Sequence, residues 1–456
     1  MKKRNLSILI TCLFFFTCKK DSDIFIPYDN PTPEITYVMG SVGGAVIDEG
    51  ANPIANASIK LFTKTTSQEL MTDENGIFLF RNVEINAERT YLQIESEGFF
   101  PSSRNFTPRT NGTEFLKIQL MSATSSGSYL ATEGGLVDVM GGGTVELPAD
   151  AVVDASGNVY NENVQVSARY INGLSTQLGE KMPGNMVAIN SEGETKILAS
   201  YGMIALGLAT DSGEPLQIGA DKLATIRVPV ADTLNALTTI PLWYFDEAMG
   251  LWIEEGQGQL VGGHYESTVS QVAFWSWGVP HDLVNLKATI SIEENDTPFE
   301  NVYTKLTVVG SGVCAFGYTD DGGVIDGAVA ATQLLHLQIY DNCFNLIYDA
   351  EIGPFPGDTN LSNIPVGLVN GSLVELNGSL NCDDEPVANG YVKLVNGENE
   401  RFVFTDSLGN FSNVFSLCQA DGFDLTGVDM TSAQQSVAVF HVGEELVEVS
   451  AINVCE

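Results

Sequence analysis

The sequence predicts an all-β protein in which tandem antiparallel β-sandwich domains follow a signal peptide and a proline-rich tether. Three observations favour this class. Short alternating apolar runs rich in Val, Ile, Thr, Phe and Tyr are separated by Gly, Asn and Asp clusters. No convincing amphipathic helix follows the N-terminal region. One strand-turn pattern occurs three times. At 456 residues the chain is also too long for one ordinary core.

We expect six parts with the following boundaries: a signal peptide at residues 1–17, a tether at 18–37, a β-sandwich at 38–121, a β-rich middle domain at 122–280, a sandwich repeat at 281–366 and a C-terminal sandwich repeat at 367–456.

The N-terminus has the features of an export signal. A basic start (Lys2, Lys3 and Arg4) precedes an apolar run from Leu6 to Phe16. This run is too short to span about 30 Å of hydrocarbon as a helix, and its length is typical of a signal-peptide core. Cleavage is expected near Thr17.

Phe15-Phe16-Thr17-Cys18 resembles a bacterial lipoprotein signal, which implies that Cys18 is acylated and anchors the mature chain. Such signals usually have Leu where Phe15 stands and a small residue where Thr17 stands. The following Lys19–Asp23 resembles the address that sends Bacteroidetes lipoproteins to the outer face of the outer membrane. A plain signal peptide with a chance cysteine is the alternative.

Pro27, Pro31 and Pro33 fall in the tether. Proline favours extended geometry at about 3.1 Å per residue, so the tether could hold the body about 50 Å from its anchor.

The repeat combines Pro-x-x-Asn with a later Thr-Asp pair and a glycine. The prolines precede the threonines by 19, 21 and 19 residues. We expect the proline and asparagine to shape one turn, the aspartate to cap the next, and the glycine to adopt positive φ. The three copies contain Pro53, Asn56, Thr72 and Gly76; Pro298, Asn301, Thr319 and Gly322 or Gly323; and Pro386, Asn389, Thr405 and Gly409.

These residues resemble the carboxypeptidase regulatory-like domain, a transthyretin-like sandwich of about seven strands. The first copy matches best: YLQIESEGFF (Tyr91–Phe100) corresponds to a late strand and Gly-Tyr pair, with Phe99 in place of the tyrosine. The second and third copies are more divergent. The resemblance implies a non-catalytic domain type.

The middle domain contains turn signals between β-like runs and ends in PLWYFDEAMGLWIEEG, which predicts a hairpin with its turn at Asp246–Gly250. It is faintly similar to ZU5-like and cartilage-intermediate-layer-type modules.

The four tryptophans are the candidate ligand platform. Trp275 and Trp277 are two residues apart and therefore share one face of a strand, with Phe274 on the other. Trp243 and Trp252 lie on the preceding hairpin. Such rings could stack on sugars, or they could form the core of the domain.

Other candidate sites are weaker. His441 and Glu444 have a zinc-peptidase spacing, but no third ligand follows at the family's distance, so we predict no catalytic residues and no metal. Acidic turns at Asp320-Asp321 and Asp383-Asp384-Glu385 are weak candidates for Ca²⁺. No Gly-x-Ser-x-Gly or Walker loop occurs. A net charge of −37 disfavours nucleic acid as a partner.

Five late cysteines permit two disulfides in an oxidising compartment. Cys314 could pair with Cys343 within the second copy. In sandwiches of the resembled type the first and last strands can run parallel, which implies pairing of Cys382 with Cys455 and leaves Cys418 spare. Three cysteines in the third copy allow three pairings.

The leading hypothesis is a non-enzymatic, lipid-anchored protein at the cell outer membrane, exposed at the surface, with an adhesion, display or structural role. Its partners would be the membrane, through the lipid, and a glycan or surface protein. The alternative is a carbohydrate-binding accessory of an outer-membrane nutrient-uptake system that uses the tryptophans. A hydrolase in the middle domain is the third hypothesis.

Overall fold

Three stretches of this chain fold as β-sandwiches with one shared topology. The computed structural model describes residues 35–108, 110–175, 177–230, 236–309, 314–320, 322–367, 373–418 and 422–455. The signal peptide, Cys18 and most of the tether lie outside the described residues. From Thr36 onward the chain belongs to one compact unit. We call residues 37–121, 122–281, 283–366 and 373–455 the first, middle, third and fourth segments.

The strands of the first segment are β1 (Tyr37–Ile47), β2 (Ser58–Phe62), β3 (Ser67–Met71), β4 (Ile77–Asn86), β5 (Thr90–Glu95), β6 (Ser102–Phe106) and β7 (Thr113–Gln119). The middle segment has β8 (Gly127–Leu130), β9 (Gly135–Asp138), β10 (Thr144–Leu147), β11 (Val152–Val153), β12 (Asn163–Asn172), α1 (Leu178–Lys181), β13 (Val187–Ile189), β14 (Thr195–Ala209), β15 (Gln217–Ile218), β16 (Ala224–Pro229), β17 (Thr239–Asp246), β18 (Leu251–Val261), β19 (His264–Val269) and β20 (Phe274–His281).

The third segment has β21 (Leu283–Ile292), β22 (Tyr303–Val308), β23 (Cys314–Tyr318), β24 (Val324–Ala330), β25 (Leu335–Tyr340), β26 (Leu346–Ile352) and β27 (Thr359–Val366). The fourth has β28 (Leu373–Cys382), β29 (Glu385–Pro386), β30 (Gly390–Asn396), β31 (Asn399–Phe404), β32 (Asn410–Ser416), β33 (Gly422–Asp429), β34 (Gln434–Gln435), β35 (Val439–Val442), β36 (Leu446–Glu448) and β37 (Ile452–Asn453).

The three repeat-bearing segments pair their strands in the same way. In the first, one sheet has the order β4-β1-β7 and the other β3-β2-β5-β6. The third segment repeats this as β24-β21-β27 and β23-β22-β25-β26. In the fourth, β28 pairs with β32, β36 and β37, while β30 and β33 lie between β31 and the edge strands β34 and β35. In every copy the first strand runs parallel to the last. The predicted all-β fold of tandem sandwiches is therefore confirmed.

The repeat motif joins the two sheets of each sandwich through a buried threonine. Thr72 donates its hydroxyl to the carbonyl of Ile54 at 2.7 Å and accepts the backbone N–H of Ala57 at 2.9 Å. These partners are the residues immediately after Pro53 and Asn56. The hydroxyl thus ties the crossover from β1 to β2 to the crossover from β3 to β4. We call this arrangement the threonine clamp.

The clamp is the same in the other two copies. Thr319 bonds the Phe299 carbonyl and the Val302 N–H, and Thr405 bonds the Val387 carbonyl and the Gly390 N–H. The following aspartates each accept two backbone N–H groups of the next turn, as predicted. Gly76, Gly323 and Gly409 all have φ near +70° to +77°. A Cβ at any of them would meet a backbone oxygen at 2.4–2.6 Å.

The middle segment folds as one long sheet of the order β8-β12-β14-β20-β17-β18-β19-β16-β10-β9, with β13 beside β14 and β18, and a separate pair of short strands, β11 and β15. Its two end strands place Tyr129 and Val137 in the same hydrophobic cluster, so the sheet curls around a single core. The predicted hairpin is present as β17 and β18, with Asp246 paired to Leu251 and Gly250 at φ +67°.

The first and middle segments share a second core and a polar seam. Tyr91, Phe100 and Met121 pack with Trp243 and Trp252. Around this core, side chains of the first segment donate to carbonyls of the 246–250 turn and of α1. Arg89 donates to the Met249 carbonyl, and both Tyr91 and Gln93 donate to the Glu247 carbonyl. Asn105 donates to the Gly250 carbonyl. Arg104 donates to the carbonyls of Glu180 and Met182.

Charge pairing reinforces this seam. Glu49 lies between two cations of the middle segment, 2.5 Å from Arg169 and 2.6 Å from Lys181. Burial lowers the pKa of Arg104 to about 10, and its guanidinium stays satisfied by main-chain carbonyls. A buried cation that keeps its hydrogen bonds gives the contact a defined geometry.

A disulfide joins the third and fourth segments. Cys343 is bonded to Cys418. The prediction that Cys343 pairs with Cys314 and that Cys418 is spare is therefore wrong. Sequence spacing favoured a bond within one copy, whereas the fold brings the turn after β25 against the end of β32, and Asn342 accepts the Ser416 N–H. The other disulfide joins Cys382 to Cys455, because β28 and β37 run parallel as expected.

Replacing Thr72 with valine should destabilise the protein by about 1–3 kcal/mol, because it leaves the Ile54 carbonyl and the Ala57 N–H unpaired in a buried crossover. Thr72→Ser keeps the hydroxyl and is the matched control. Urea unfolding of both variants measures the effect. Full stability in Thr72→Val, which keeps the threonine methyl and lacks only the hydroxyl, would contradict the role of the clamp.

Removal of the Cys343–Cys418 bond by double serine substitution should cost about 2–5 kcal/mol, since it frees a long loop that spans two segments. We also expect the fourth segment to unfold separately, with two transitions in calorimetry. The double variant Cys382→Ser/Cys455→Ser is the control: its bond lies within the fourth segment and its loss should lower only the stability of that segment. A single shared transition in the first variant would contradict the expectation.

Candidate functional site

The tryptophans predicted as a ligand platform are core residues. Trp243, Trp252, Trp275 and Trp277 are all at most 1% exposed. Protein acceptors satisfy each indole N–H, among them the Gly278 carbonyl for Trp243 and the Ser267 hydroxyl for Trp277. The platform prediction is therefore wrong. Trp275 and Trp277 do share a face, but that face lines the inner core of the middle segment, and Phe274 on the other face packs against the first segment.

The metal candidates have other roles. His441 stacks on Phe423 within the fourth segment, with ring centroids 5.7 Å apart. Asp320 accepts the backbone N–H groups of Gly322 and Val324, which is turn chemistry, while Asp321 lies outside the described residues. Within the ranges that the structure describes, no group of three or more His, Cys, Asp or Glu side chains is placed to hold a metal ion.

One concave feature is a polar cleft where the first, third and fourth segments meet. It has a volume of about 680 Å³, which lies in the range of small-molecule sites. We call it the arginine cleft. It is lined by Arg81, Thr113 and Phe115 of the first segment, Glu300, Asn301, Thr319 and Asp320 of the third, and Asn377–Ser379, Arg401–Asp406, Asn410–Asn413 and Glu448 of the fourth.

Arg401, on β31, lies at the wall between the third and fourth segments. It is 8% exposed, its Nη2 donates to the Glu300 carbonyl at 3.4 Å, and its guanidinium lies 5.8 Å from the Phe415 ring centroid. Burial lowers the pKa of Arg401 to about 10, although the Glu300 carboxylate opposes the shift. Its Nη1 is buried with no hydrogen-bond acceptor.

Arg81, on β4, approaches from the first segment. Its Nη2 donates to the Thr405 hydroxyl at 3.4 Å, and its Nε is buried without an acceptor. Burial lowers the pKa of Arg81, and the nearby Asp406 partly restores it. On the fourth segment, the buried Asn413 has an Oδ1 without a donor.

Buried polar atoms without partners are rare in folded proteins because each costs free energy. Here two arginines and one asparagine of the same cleft have such atoms. The cleft wall also presents carboxylates and amides next to the phenyl rings of Phe115, Phe402 and Phe404. This combination suits a ligand that offers both hydrogen-bond donors and acceptors together with an apolar face.

Sequence reasoning missed this cleft because its walls come from residues more than 300 positions apart. One signal was present: the chain has only 21 Lys and Arg against 58 Asp and Glu. With cations this scarce, an arginine within an apolar strand such as RFVF (Arg401–Phe404) indicates a specific role.

The described residues include no helix with the length and apolar character needed to cross a bilayer.

Comparisons with known proteins give partial matches. No family model matches the chain. Human cartilage intermediate layer protein 2 is 30% identical over 116 residues, which is 25% of this chain and 10% of that protein. Human cartilage intermediate layer protein 1 is 26% identical over 117 residues, with the same coverage. The chain thus spans about a tenth of the length of these curated relatives.

Solved structures of low similarity include the Bacillus anthracis TIE protein, with 8% identity and a TM-score of 0.19, covering 91% of this chain and 51% of that one. The shaft pilin SpaA of Lactobacillus rhamnosus GG has 11% identity and a TM-score of 0.20, covering 38% and 97%. The major pilin subunit of Bacillus cereus has 12% identity and a TM-score of 0.17, covering 72% and 99%. At these TM-scores we draw no argument from the likeness.

Proposed function

We propose that this protein is a non-enzymatic, lipid-anchored protein of the outer membrane surface that binds a polar ligand in the arginine cleft. The single observation that carries the proposal is the lining of one cleft, where Arg81 and Arg401 lie together with carboxylates, amides and phenyl rings. A ligand with both hydrogen-bond donors and acceptors would pair with the charged and amide groups of this lining. The adhesion or display role follows from a binding cleft on a rigid body held by a tether.

Three features support attachment at the cell surface. The N-terminal sequence resembles a lipoprotein signal with Cys18 at the attachment position. Two disulfides require an oxidising compartment, so they support export. The first segment, which follows the tether, is docked on the middle segment by Arg104 and Glu49, and this contact favours presentation of the described body as one piece.

A carbohydrate-binding accessory role is the second candidate function. Its binding site would be the arginine cleft and not the tryptophans. Asn301, Asn377 and Asn410 supply planar amides, and carboxylates and phenyl rings line the same wall. Groups of this kind hydrogen-bond sugar hydroxyls and cover sugar faces. A hydrolase in the middle segment has no comparable support, because the buried tryptophans fill its core.

Substitution of the cleft arginines should weaken ligand binding. We expect Arg81→Gln and Arg401→Gln to weaken binding at least about tenfold, since each removes charge-assisted hydrogen bonds. The matched control is Arg227→Gln: Arg227 is half-buried in the middle segment and also has an Nε without an acceptor, but does not line the cleft. Arrays of neutral and acidic glycans and of short polar peptides, probed with the chain from Lys19 onward, measure binding.

Binding to glycans would favour the uptake accessory, and binding to peptides would favour adhesion. No binding on either array at about 100 μM, or equal binding by wild type and both cleft variants, would overturn the proposed site. Circular dichroism and thermal unfolding establish that the cleft variants remain folded.

The lipid anchor should depend on Cys18 alone. Cells supplied with a palmitate analogue should label the wild-type chain and the Cys12→Ser variant, but not Cys18→Ser, which should leave the membrane fraction. Cys12 is the control because it lies inside the signal core. Proteolysis of intact cells then reports whether the body faces outward. Label that persists in Cys18→Ser would contradict the anchor.

A further inference from the structure

The fourth segment ends its second sheet in an apolar strand that is open to solvent. The run SVAVFHV (residues 436–442) contains β35, and the side chains of Val437, Phe440 and Val442 are 82%, 56% and 62% exposed. Continuous apolar runs of this kind are typical of strands covered on both faces. Here the sequence has the character of a buried strand, yet the strand lies at the surface.

Both faces of β35 contribute to this exposure. β35 pairs antiparallel with β33, so that Val439 is opposite Leu425 and Phe440 is opposite Asp424. Leu425 is fully buried, which shows that Val439 belongs to the core side of the sheet, but Val439 is itself 46% exposed. Phe440 and Val442 project from the other side. No strand of the described ranges pairs with the outer edge of β35.

The equivalent edge strands of the other two sandwiches are protected in different ways. In the first segment, β6 is mostly buried because the middle segment covers it, with Asn105 donating to the Gly250 carbonyl. In the third segment, β26 exposes Asp349 and Glu351 on its surface. Charges of this kind prevent edge-to-edge pairing. Only β35 among these three edges is both apolar and uncovered.

The charge pattern around β35 indicates what would cover it. Acidic residues follow the strand, at Glu444 and Glu445, whereas Gln434, Gln435 and Ser436 before it are neutral. In an antiparallel pair of two β35 strands centred on Phe440, Glu444 is opposite Ser436 and Glu445 is opposite Gln435. The two acidic ends therefore lie apart. Phenyl rings meet at the centre, and Val439 is opposite His441, so the strand is complementary to itself.

We propose that β35 pairs with β35 of a second copy of this chain about a twofold axis, joining two sheets of the fourth segment into one continuous sheet. The contact is one strand pair with its flanking side chains, which is smaller than the roughly 1,600 Å² of a standard interface. The dimer therefore forms reversibly, in the micromolar range. It involves no residue of the arginine cleft.

Sedimentation equilibrium of the chain from Lys19 onward tests this pairing. We expect a concentration-dependent monomer–dimer equilibrium that strengthens as salt rises from about 0.05 to 0.5 M, because salt screens the mutual repulsion of two highly acidic chains. Phe440→Lys should raise the dissociation constant at least about tenfold, since it places two like charges opposite each other. The control is Leu408→Lys, which changes another exposed apolar residue of the same segment, 66% exposed and outside β35.

Hydrogen exchange locates the contact without a variant. Backbone amides of residues 438–442 should exchange more slowly in concentrated than in dilute wild-type protein. A chain that stays monomeric at about 200 μM and high salt, or a dimer unaffected by Phe440→Lys, would overturn the proposal. A monomer that instead binds a basic apolar peptide, with affinity that falls as salt rises, would replace the second copy with a different partner and would also overturn it.

Discussion

The threonine clamp is the contact on which each sandwich depends. A two-sheet domain needs its chain to cross between sheets, and a crossover exposes backbone groups that no strand partner satisfies. In this protein two crossovers lie side by side. A buried threonine of one crossover donates its hydroxyl to a carbonyl of the other and accepts an N–H from it. Thr72, Thr319 and Thr405 repeat the geometry almost unchanged. The conserved spacing of Pro, Asn and Thr within the chain follows from this shared bond.

The turn next to the first clamp also contributes to a contact between segments. Tyr391 of the fourth segment donates to Asp73 and accepts from Asn75, both in the turn that follows Thr72. Burial and the neighbouring Asp73 carboxylate raise the pKa of the Tyr391 hydroxyl, so it stays a neutral donor. Close to it, Gly43 leaves the space that the Phe404 ring fills, since a Cβ there would lie 2.5 Å from the ring. The turn that follows the first clamp therefore also helps to orient the fourth segment.

The fold was largely predictable because its determinants are local. Alternation, turn residues and the repeated Pro-x-x-Asn and Thr-Asp pairs act over about 20 residues, and the hairpin at Asp246–Gly250 follows from its own turn. The role of the threonine hydroxyl was missed, although its fixed position in three copies was visible. The platform prediction failed for a definite reason. Alternation tells which rings share a face, but FWSW has no charged residue and only the small Ser276 as a polar one, as in strands covered on both sides.

Contacts between segments could not be predicted, because nothing local specifies them. Cys343 and Cys418 belong to different sandwiches, and the walls of the arginine cleft come from three. This origin has a physical consequence. Because Arg81, Glu300 and Arg401 belong to different segments, any ligand that touches all three walls binds only the assembled arrangement. Such binding stabilises that arrangement by mass action. The disulfide and the Phe404–Gly43 contact hold the walls together beforehand, so they lower the ordering cost that a ligand would otherwise meet. The contacts that make the junction between the segments rigid therefore also raise the affinity of the cleft for a ligand.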